Sequence, residues 1–357
     1  MWFTSDNAGP VHPRVMEALA RANEGHVGSY GADDATARVV ARIREVFEAP
    51  DAAVHLVATG TAANALALAC LCPPWGTVFC HQWSHVAEDE CGAPEFYTGG
   101  AKLTLIPGDD CKMRAEDLAA VAARSGLAVH NVQRGAVSVT NATEAGTAYT
   151  PDEIAGVAAV AKAHGMPLHL DGARFANALV TLGCTPAEMT WKAGVDAVSF
   201  GGTKNGLMGV EAVVLFDPAR SWEFELRRKR AGHLFSKHRF LAAQMEAYLA
   251  DGLWLEMART ANARAKRLAR GIKAAGGRLL HPVEANEVFA AWPRAGHRRA
   301  EAAGAKYYLW SFDDPLAQSL DGPDEAEVSA RLVCDWSTAE ADIDRFVQLI
   351  GPAAAAA

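Results

Sequence analysis

The chain has 357 residues, a formal net charge of -8 and a composition that is 50% hydrophobic. This length approaches the limit of a single hydrophobic core, so it predicts two lobes. No apolar run is long enough for a membrane span, and residues 1–6 lack the basic and apolar start of a signal peptide. The acidic balance argues against broad nucleic-acid binding. Seven cysteines without a CxxC pair favour a reduced, cytoplasmic protein.

The first part of the chain predicts an arm, two helices and a strand that enters a third helix. Residues 1–12 form the polar arm, Pro13 starts a helix, and residues 34–47 have helical spacing of their apolar positions. A strand at 54–57 precedes Thr59-Gly60-Thr61 and an alanine-rich helix. Such a turn offers free backbone N–H groups to an anion, and the helix dipole adds attraction. The junction suggests a phosphate site, although strand–glycine–helix junctions are common.

Two histidines follow the next predicted strand, at 78–80. The imidazoles of His81 and His85 have the chemistry to stack on a flat ring, although either histidine alone is more simply a loop residue. His85, Glu88 and Asp89 carry ligand-type side chains, but their spacing matches no zinc pattern. We therefore predict no metal site here.

The strongest signal comes from two apolar strands that each end in a residue suited to catalysis. The strand at 168–170 leads to Asp171-Gly172-Ala173-Arg174, and the strand at 195–200 leads through two glycines and Thr203 to Lys204. Carboxyl ends of strands in an open α/β sheet face the ligand crevice, so Asp171 and Lys204 are expected to meet there. Taken singly, the aspartate is typical of a helix cap and the lysine of a surface charge.

Together, the two residues indicate pyridoxal phosphate, PLP. A lysine amine forms a Schiff base with the PLP aldehyde, and an aspartate keeps the ring nitrogen protonated so that the ring accepts electrons from a breaking bond. Glycines beside Lys204 are expected to let the backbone pass close to this flat ligand.

The remaining pattern continues the alternation of strands and helices into a second lobe. A capping box at residues 150–153 starts a helix that ends at Gly165. The basic cluster at 227–230 is typical of a solvated helix face. Ser337 and Glu340 have the spacing of a capping box before the last helix, and residues 353–357 are expected to fray. Further strands are expected at 137–141, 212–216, 287–292, 307–310 and 328–333, with a helix-rich stretch at 240–275.

These motifs are specific enough to identify a family. The chain resembles the low-specificity L-threonine aldolases and phenylserine aldolases, which are fold-type I PLP enzymes, from about residue 4 to residue 346. The resemblance implies an α/β fold of the aspartate aminotransferase type, with a mainly parallel sheet in a large domain (1–250) and a smaller C-terminal α+β domain (251–357). The matching segments are residues 5–7, 30–31, 59–61, 84–85, 169–174, 203–204 and 330–333, with 92–96 and 228–234 typical of the phenylserine aldolase branch.

The resemblance also implies roles for individual residues. Lys204 is the Schiff-base lysine, Asp171 pairs with the ring nitrogen, and His85 stacks on the ring and takes the substrate hydroxyl proton, directly or through water. The remaining site residues are assigned to the cofactor, to the substrate or, for one arginine, to both. Thr59, Gly60 and Thr61 hold the phosphate, Ser5, Arg174 and Arg331 grip the substrate carboxylate, Arg174 also contacts the cofactor, and Tyr30 contacts the substrate.

Two further implications concern a residue from a neighbouring chain and a position at which this chain departs from the family pattern. Family members are tetramers built from dimers whose sites contain residues of both chains, so Lys229 of a neighbouring chain is expected to approach the phosphate. Thr143 is expected to contact the substrate. It stands where many threonine aldolases have a histidine near the substrate hydroxyl, which leaves the identity of the proton acceptor open.

The implied reaction is retro-aldol cleavage of a β-hydroxy-α-amino acid to glycine and an aldehyde. Threonine or allo-threonine gives acetaldehyde, and phenylserine gives benzaldehyde. The alternatives are another PLP activity on the same scaffold, namely β-elimination, transamination or racemisation, because a fold alone does not separate these. A non-catalytic binding protein that kept the scaffold is a further alternative, disfavoured by the intact Lys204 and Asp171.

Overall fold

The computed structural model describes residues 1–312 and 319–351, so the expected frayed end at 353–357 lies outside the described residues. Its strands are β1 (Ala53–Val57), β2 (Gly76–His81), β3 (Lys102–Ile106), β4 (Gln133–Thr140), β5 (Leu168–Gly172), β6 (Ala197–Gly201), β7 (Glu211–Leu215), β8 (Arg278–Leu279), β9 (Glu287–Pro293), β10 (Tyr308–Leu309) and β11 (Glu327–Val333). Its α-helices are α1 (Pro13–Ala22), α2 (Asp34–Val46), α3 (Gly60–Leu71), α4 (His85–Glu88), α5 (Ala93–Thr98), α6 (Ala115–Ala122), α7 (Pro151–Ala163), α8 (Phe175–Leu182), α9 (Ser221–Arg230), α10 (Arg239–Leu249), α11 (Leu253–Ala274), α12 (Arg294–Ala302) and α13 (Glu340–Ile350).

Seven strands form one large, mainly parallel sheet, as the sequence predicted. The strand order is β1-β7-β6-β5-β4-β2-β3. Strands β6, β5, β4, β2 and β3 run parallel, and β7 pairs antiparallel with both β6 and β1. The four parallel neighbours β6, β5, β4 and β2 end at the same edge of the sheet, which is where a ligand crevice belongs.

The large sheet is covered on both faces by helices. The central strands β5, β6 and β7 are buried along their whole length, which is the pattern of a parallel sheet enclosed between helical layers. Helix α3 is hydrophobic all round and is buried from Ala62 to Leu71, as expected for a helix enclosed by other elements. Two apolar clusters result, one on each side of the sheet.

A second, four-stranded antiparallel sheet has the order β10-β11-β9-β8. Its apolar face packs with α11 and α13 in a third cluster that includes Trp292 and Phe346. Phe3 of the N-terminal arm is fully buried in the same cluster, so the start of the arm contacts this sheet. The division at residue 250 stays a prediction.

Local details both confirm and correct the sequence-based expectations. The capping box of α7 is present, with Glu153 N–H donating to the Thr150 hydroxyl and Thr150 N–H donating to Glu153. The expected cap of the last helix by Ser337 is wrong: α13 begins after Ala339 without a side-chain cap, and the Ser337 hydroxyl donates to Asp335 instead. Strands β3 and β8 were not predicted, because both lie at sheet edges and are only partly buried.

Among the described residues, no helix combines the length and the apolar character that crossing a membrane requires.

Candidate active site

A cavity of about 420 Å³ lies where the parallel strands end and the small sheet begins. The turn after β6 brings Lys204, the end of β5 brings Arg174, α4 after β2 brings His85, and the turn after β4 brings Glu144. The second sheet closes the cavity from the other side. The lining residues are Ser5, Asn7, Trp83, His85, Glu88, Asp89, Glu144, Arg174, Lys204, Glu287, Trp310, Ser311, Phe312 and Arg331.

Lys204 lies half-buried in a 3-10 turn, Thr203–Asn205, directly after β6. Within residues 1–312 and 319–351 its amine has no hydrogen bond and no ion pair. The turn before the lysine is held by Glu211, whose Oε2 accepts a hydrogen bond of 2.7 Å from Gly202 N–H. Burial raises the pKa of Glu211 to about 7. The lysine amine is therefore unengaged and points into a cavity, as a lysine that bonds a cofactor requires.

The structure explains the glycines before Lys204 differently from the sequence analysis. A Cβ on Gly201 would lie 2.4 Å from the Ala173 carbonyl oxygen, and one on Gly202 would lie 2.8 Å from the Val210 carbonyl oxygen. These glycines allow close packing of backbone against backbone. The expectation that they make room for a flat ligand finds no support in these contacts.

Asp171 is buried at the end of β5, and both of its carboxylate oxygens are held. Oδ1 accepts a hydrogen bond of 2.9 Å from Ala173 N–H, and Oδ2 accepts one of 2.8 Å from the Asn64 side chain. The same Asn64 amide donates to Glu90 Oε1 at 2.8 Å, and Glu90 Oε1 also contacts His85 Nδ1 at 2.9 Å. A chain of hydrogen bonds thus connects the predicted aspartate to the predicted histidine.

The charge of His85 is governed by this network. Burial of the ring would lower the pKa of His85, but the hydrogen bond with Glu90 and the charge of Asp171 outweigh it, so the pKa is raised. The carboxyl group of Glu90 has a raised pKa because it is buried. His85 thereby gains a partner that orients its ring and favours the protonated form.

The two arginines expected to grip a substrate carboxylate are already paired with carboxylates of the chain. Arg174 donates from Nε and Nη2 to Asp6 at 2.8 and 3.0 Å, and its Nη1 lies 2.9 Å from Glu287 Oε2. Arg331 donates twice to Glu287 Oε1, at 3.0 and 2.7 Å. Burial opposes ionisation of Asp6, but Arg174 and Lys204 outweigh it and lower its pKa to about 2. Glu287 therefore joins the two guanidinium groups into one unit beside the cavity.

The other predicted site residues fall into three places. Ser5 lines the cavity. Thr59 caps α3 by accepting a hydrogen bond from Ala62 N–H, and a Cβ on Gly60 would meet no atom within 4 Å, so the expected phosphate cup is open. Tyr30 lies in a second cavity of about 470 Å³, and the exposed Lys229 places its amine 4.4 Å from the Tyr30 ring centroid.

Thr143 is not brought to the cavity. Its side chain is buried, and its hydroxyl bonds with Thr147 and the Asp110 carbonyl oxygen. The next residue, Glu144, lines the cavity instead. Glu144 is one of several residues that sequence reasoning missed, the others being Asp6, Asn64, Glu90 and Glu287. Of these, only the carboxylate at Asp6 lies within a segment that the family resemblance had matched, so the rest had no local signal.

The donor set fits pyridoxal phosphate on observations independent of the resemblance. An unengaged lysine amine, an aspartate held by N–H donors, a histidine and an open helix N-terminus lie around the ends of neighbouring strands. Buried polar atoms without a partner among the described residues, Asn64 Oδ1 and Glu90 Oε2, lie in the same region. When bound, the cofactor would be held by Lys204, Asp171, His85 and the turn before α3.

His85, Glu90 and Asp171 also place ligand-type atoms within 4.8 Å of one another. Hydrogen bonds already connect these side chains through Asn64 and directly between His85 and Glu90. The absence of a metal site stays a prediction.

Known proteins with similar sequences are low specificity L-threonine aldolases. The chain is similar to the low specificity L-threonine aldolase of Pseudomonas aeruginosa, with 41% identity over 97% of this chain and 95% of the relative. It is similar to the enzyme of the same name from a Pseudomonas species, with 40% identity over 96% of this chain and 94% of the relative.

Solved structures of PLP enzymes also resemble this chain. A threonine aldolase of Leishmania major superimposes with a TM-score of 0.89 and 30% identity, covering 98% of both chains. A serine palmitoyltransferase of Sphingomonas wittichii, with a TM-score of 0.67 and 15% identity over 98% of this chain and 86% of its own, supports the fold alone. The sequence profile of the beta-eliminating lyase family matches residues 3–293. The chain therefore belongs to the beta-eliminating lyase family and has the fold of the fold-type I PLP enzymes.

Proposed function

We propose that this protein is a PLP-dependent aldehyde-lyase that cleaves β-hydroxy-α-amino acids to glycine and an aldehyde. The observation that carries the proposal is the unengaged Lys204 amine in one cavity with Arg174, Arg331 and His85. The two arginines suit a carboxylate because guanidinium groups bind it through paired N–H donors. PLP supplies the electron sink for the bond that breaks. Similarity to low specificity L-threonine aldolases favours the aldol reaction over elimination.

Product analysis tests this proposal. Purified protein supplied with PLP is expected to convert threonine to glycine and acetaldehyde, and phenylserine to glycine and benzaldehyde. Formation of pyruvate and ammonia from serine, with no aldehyde from threonine, would instead assign the site to β-elimination. Protein that stays colourless with added PLP would favour a binding protein that kept the scaffold.

For the finer substrate class, the cavity wall supports β-aryl substrates of the phenylserine type. Trp83, Trp310 and Phe312 line the cavity. The Phe312 ring centroid lies 5.7 Å from that of Trp83 and 5.8 Å from that of Trp310. Arg331 lies 5.5 Å from the Trp310 ring centroid, which places the aromatic wall next to a predicted carboxylate-binding residue. Aromatic rings gain from edge and offset contacts with other rings.

Replacing Trp83 with alanine is therefore expected to lower kcat/KM more for phenylserine than for threonine. The additional loss is about twofold to thirteenfold, since one aromatic contact contributes roughly 0.5–1.5 kcal/mol. Both substrates are measured with the same protein preparation. Trp75→Ala, which removes an exposed tryptophan outside the cavity, serves as control. Equal losses for the two substrates in Trp83→Ala would contradict an aryl-binding wall.

We further propose a homotetramer made of two dimers, in which Tyr30 and Lys229 serve the site of a neighbouring chain. The support is their place: both lie together outside the cavity that holds Lys204 of their own chain. Sites shared across a two-fold interface are a common result of symmetric assembly.

Mixing two inactive variants tests the shared site. Lys204→Ala and Lys229→Ala proteins are each expected to show low activity, and refolding them together is expected to restore about a quarter of the wild-type rate, because half of random dimers are mixed and each has one intact site. Sedimentation measures the assembly. No recovery in mixed dimers that sedimentation shows to have formed would place Lys229 in the site of its own chain.

The cysteines support a reducing, cytoplasmic location as part of this proposal. All seven are free thiols, and Cys70, Cys72, Cys80, Cys111 and Cys334 are buried. Disulfides are typical of oxidising compartments and are rare in the cytosol.

A further inference from the structure

Glu144 occupies a tight turn whose neighbours are fixed. Thr143 N–H donates to the Thr147 carbonyl oxygen at 2.8 Å, and the hydroxyls of Thr143 and Thr147 both donate to the Asp110 carbonyl oxygen. Gly146 has a φ of +74°, and a Cβ there would lie 3.0 Å from the Glu287 carbonyl oxygen, which fixes the turn against β9. Because Thr143 is turned into this network, Glu144 is the side chain of the turn that reaches the cavity.

The Glu144 carboxylate is half engaged. Oε1 accepts a hydrogen bond of 2.7 Å from His85 N–H. Oε2 is buried and has no partner at normal hydrogen-bond geometry within the ranges 1–312 and 319–351, and the Thr140 side chain is the polar neighbour of the carboxyl group. A buried carboxylate oxygen without a partner is costly. Its cost is offset if a substrate group donates to it, and the group that a β-hydroxy-α-amino acid adds beside its amine and carboxylate is a hydroxyl.

Other groups near the cavity are less suited to accept a proton from that hydroxyl. The His85 ring is oriented by Glu90 and has a raised pKa, so its protonated form is favoured. The hydroxyl of Thr143 is a weak base and already has partners. The carboxylates of Asp6 and Glu287 are paired with Arg174 and Arg331. Glu88 and Asp89 also line the cavity, but both are exposed to solvent, so neither has a buried oxygen that a substrate hydroxyl would satisfy.

The ionisation of Glu144 is compatible with this role at neutral pH. Burial raises the pKa of the Glu144 carboxyl group to about 7, and the negative charge of Asp171 adds to this rise. The hydrogen bond from the His85 backbone opposes it, as do smaller effects of the Glu144 backbone and the Thr140 side chain. A base is most effective when its pKa lies near the working pH. The charge of Asp171 affects the pKa of Glu144, and the charge of Glu144 affects the pKa of Arg174, Cys80, Cys111 and Tyr149. His85 contacts Glu144 through its backbone N–H.

We propose that Glu144 is the catalytic base that takes the proton of the substrate β-hydroxyl through its unpaired Oε2. As this O–H bond breaks and a proton binds Glu144, the Cβ–O bond becomes the carbonyl of the aldehyde, and the Cα–Cβ bond breaks with its electron pair left on the glycine half. A proton then binds Cα. The net reaction moves one proton from oxygen to carbon and consumes no co-reactant.

This inference rests on the proposed function, and a kinetic comparison separates the two. Glu144→Gln keeps the shape of the side chain but is no base, so retro-aldol cleavage of threonine is expected to fall by roughly 10²–10⁴-fold. Exchange of the α-proton of glycine, which involves no hydroxyl, is expected to stay within about twofold of wild type by the same reasoning. Glu144→Asp, which keeps the carboxylate, is expected to retain an intermediate rate.

A matched control comes from the same region. Glu284 Oε2 accepts a hydrogen bond of 2.8 Å from Ala148 N–H and lies outside the cavity, so Glu284→Gln perturbs this loop without touching the proposed base. Cleavage by Glu284→Gln is expected to match wild type. The wild-type pH profile of kcat/KM is expected to fall as the pH drops below about 7, where Glu144 becomes protonated and cannot accept a proton, and this limb is expected to be absent in Glu144→Gln.

A readout independent of turnover uses the titration of the carboxyl group itself. Infrared difference spectra of the purified protein between about pH 8 and about pH 6, roughly one unit either side of the pKa of Glu144, should contain a protonated-carboxyl band that is weaker in Glu144→Gln. Glu211 also has a pKa raised to about 7, so the difference between the two proteins, and not the band alone, identifies Glu144.

The outcomes are distinct. A wild-type protein that cleaves no β-hydroxy-α-amino acid overturns the proposed function. A wild-type protein that cleaves threonine while Glu144→Gln cleaves it equally fast, with its acid limb intact, overturns the role of Glu144. A variant that loses cleavage and glycine exchange together, with PLP still bound, also overturns it, because the carboxylate would then act on the cofactor site as a whole.

Discussion

Replacement of Lys204 by alanine is expected to abolish turnover and the visible absorbance of lysine-bound PLP. The amine lies in the cavity without a hydrogen bond or ion pair among the described residues, so it is available to form a covalent bond. Loss of a covalent nucleophile typically lowers kcat by roughly 10⁴–10⁶-fold. Absorbance spectra with added PLP and an aldehyde assay measure the two effects separately.

Two further variants separate the chemistry of Lys204 from its charge. Lys204→Arg keeps a positive charge near Asp6 and Glu211 but removes the nucleophile, and it is expected to be as inactive as the alanine variant. Lys192→Ala removes an exposed lysine that pairs with Glu48 at 2.6 Å, and it is expected to be fully active. An unchanged visible spectrum in Lys204→Ala would show that PLP bonds elsewhere.

The sheet could be predicted because its strands are short apolar runs between turn residues. Strands β1, β5, β6, β7 and β9 are buried almost throughout, and their sequences are largely apolar, a pattern that is recognised without tertiary information. Edge strands behave differently. In β3, Lys102 and Leu105 are exposed, so the segment lacks the apolar continuity by which its neighbours are recognised.

The residues expected at the site from local sequence were those that follow strands directly. Asp171, Arg174, Lys204 and His85 come to one edge because parallel strands end at one edge. Their partners come from distant segments: Asp6 reaches Arg174 across 168 positions, and Asn286, which no motif marked, reaches Asp6 across 280. Only tertiary packing brings such pairs together.

The turn after β4 shows that tertiary packing also decides which side chain of a turn enters the cavity. The family resemblance identified the segment but assigned the substrate contact to Thr143. The threonine hydroxyl instead bonds with Thr147 and Asp110, so the adjacent Glu144 faces the cavity. Which of two successive side chains enters a cavity depends on the backbone path of the turn, and that path is set here by partners outside the segment.

Replacing Asp171 with asparagine is expected to lower kcat by roughly 10²–10³-fold while PLP remains bound to Lys204. The variant removes the negative charge that favours a protonated ring nitrogen. It also disturbs the network, because the new amide must face the Asn64 amide that now donates to Asp171 Oδ2 at 2.8 Å. Rotating Asn64 to present its unpaired Oδ1 would break its hydrogen bond to Glu90.

Asp196 offers the matched control for Asp171. Its Oδ2 accepts a hydrogen bond of 2.8 Å from Leu168 N–H at the opposite end of β5, outside the cavity. Asp196→Asn is expected to change thermal stability more than kcat, since it weakens a backbone contact and leaves the site intact. Steady-state rates at saturating PLP and substrate, together with melting temperatures, decide the comparison. If Asp171→Asn kept a rate close to wild type, the ring nitrogen would have a different partner, and the chain of hydrogen bonds from Asp171 through Asn64 and Glu90 would serve only to position His85.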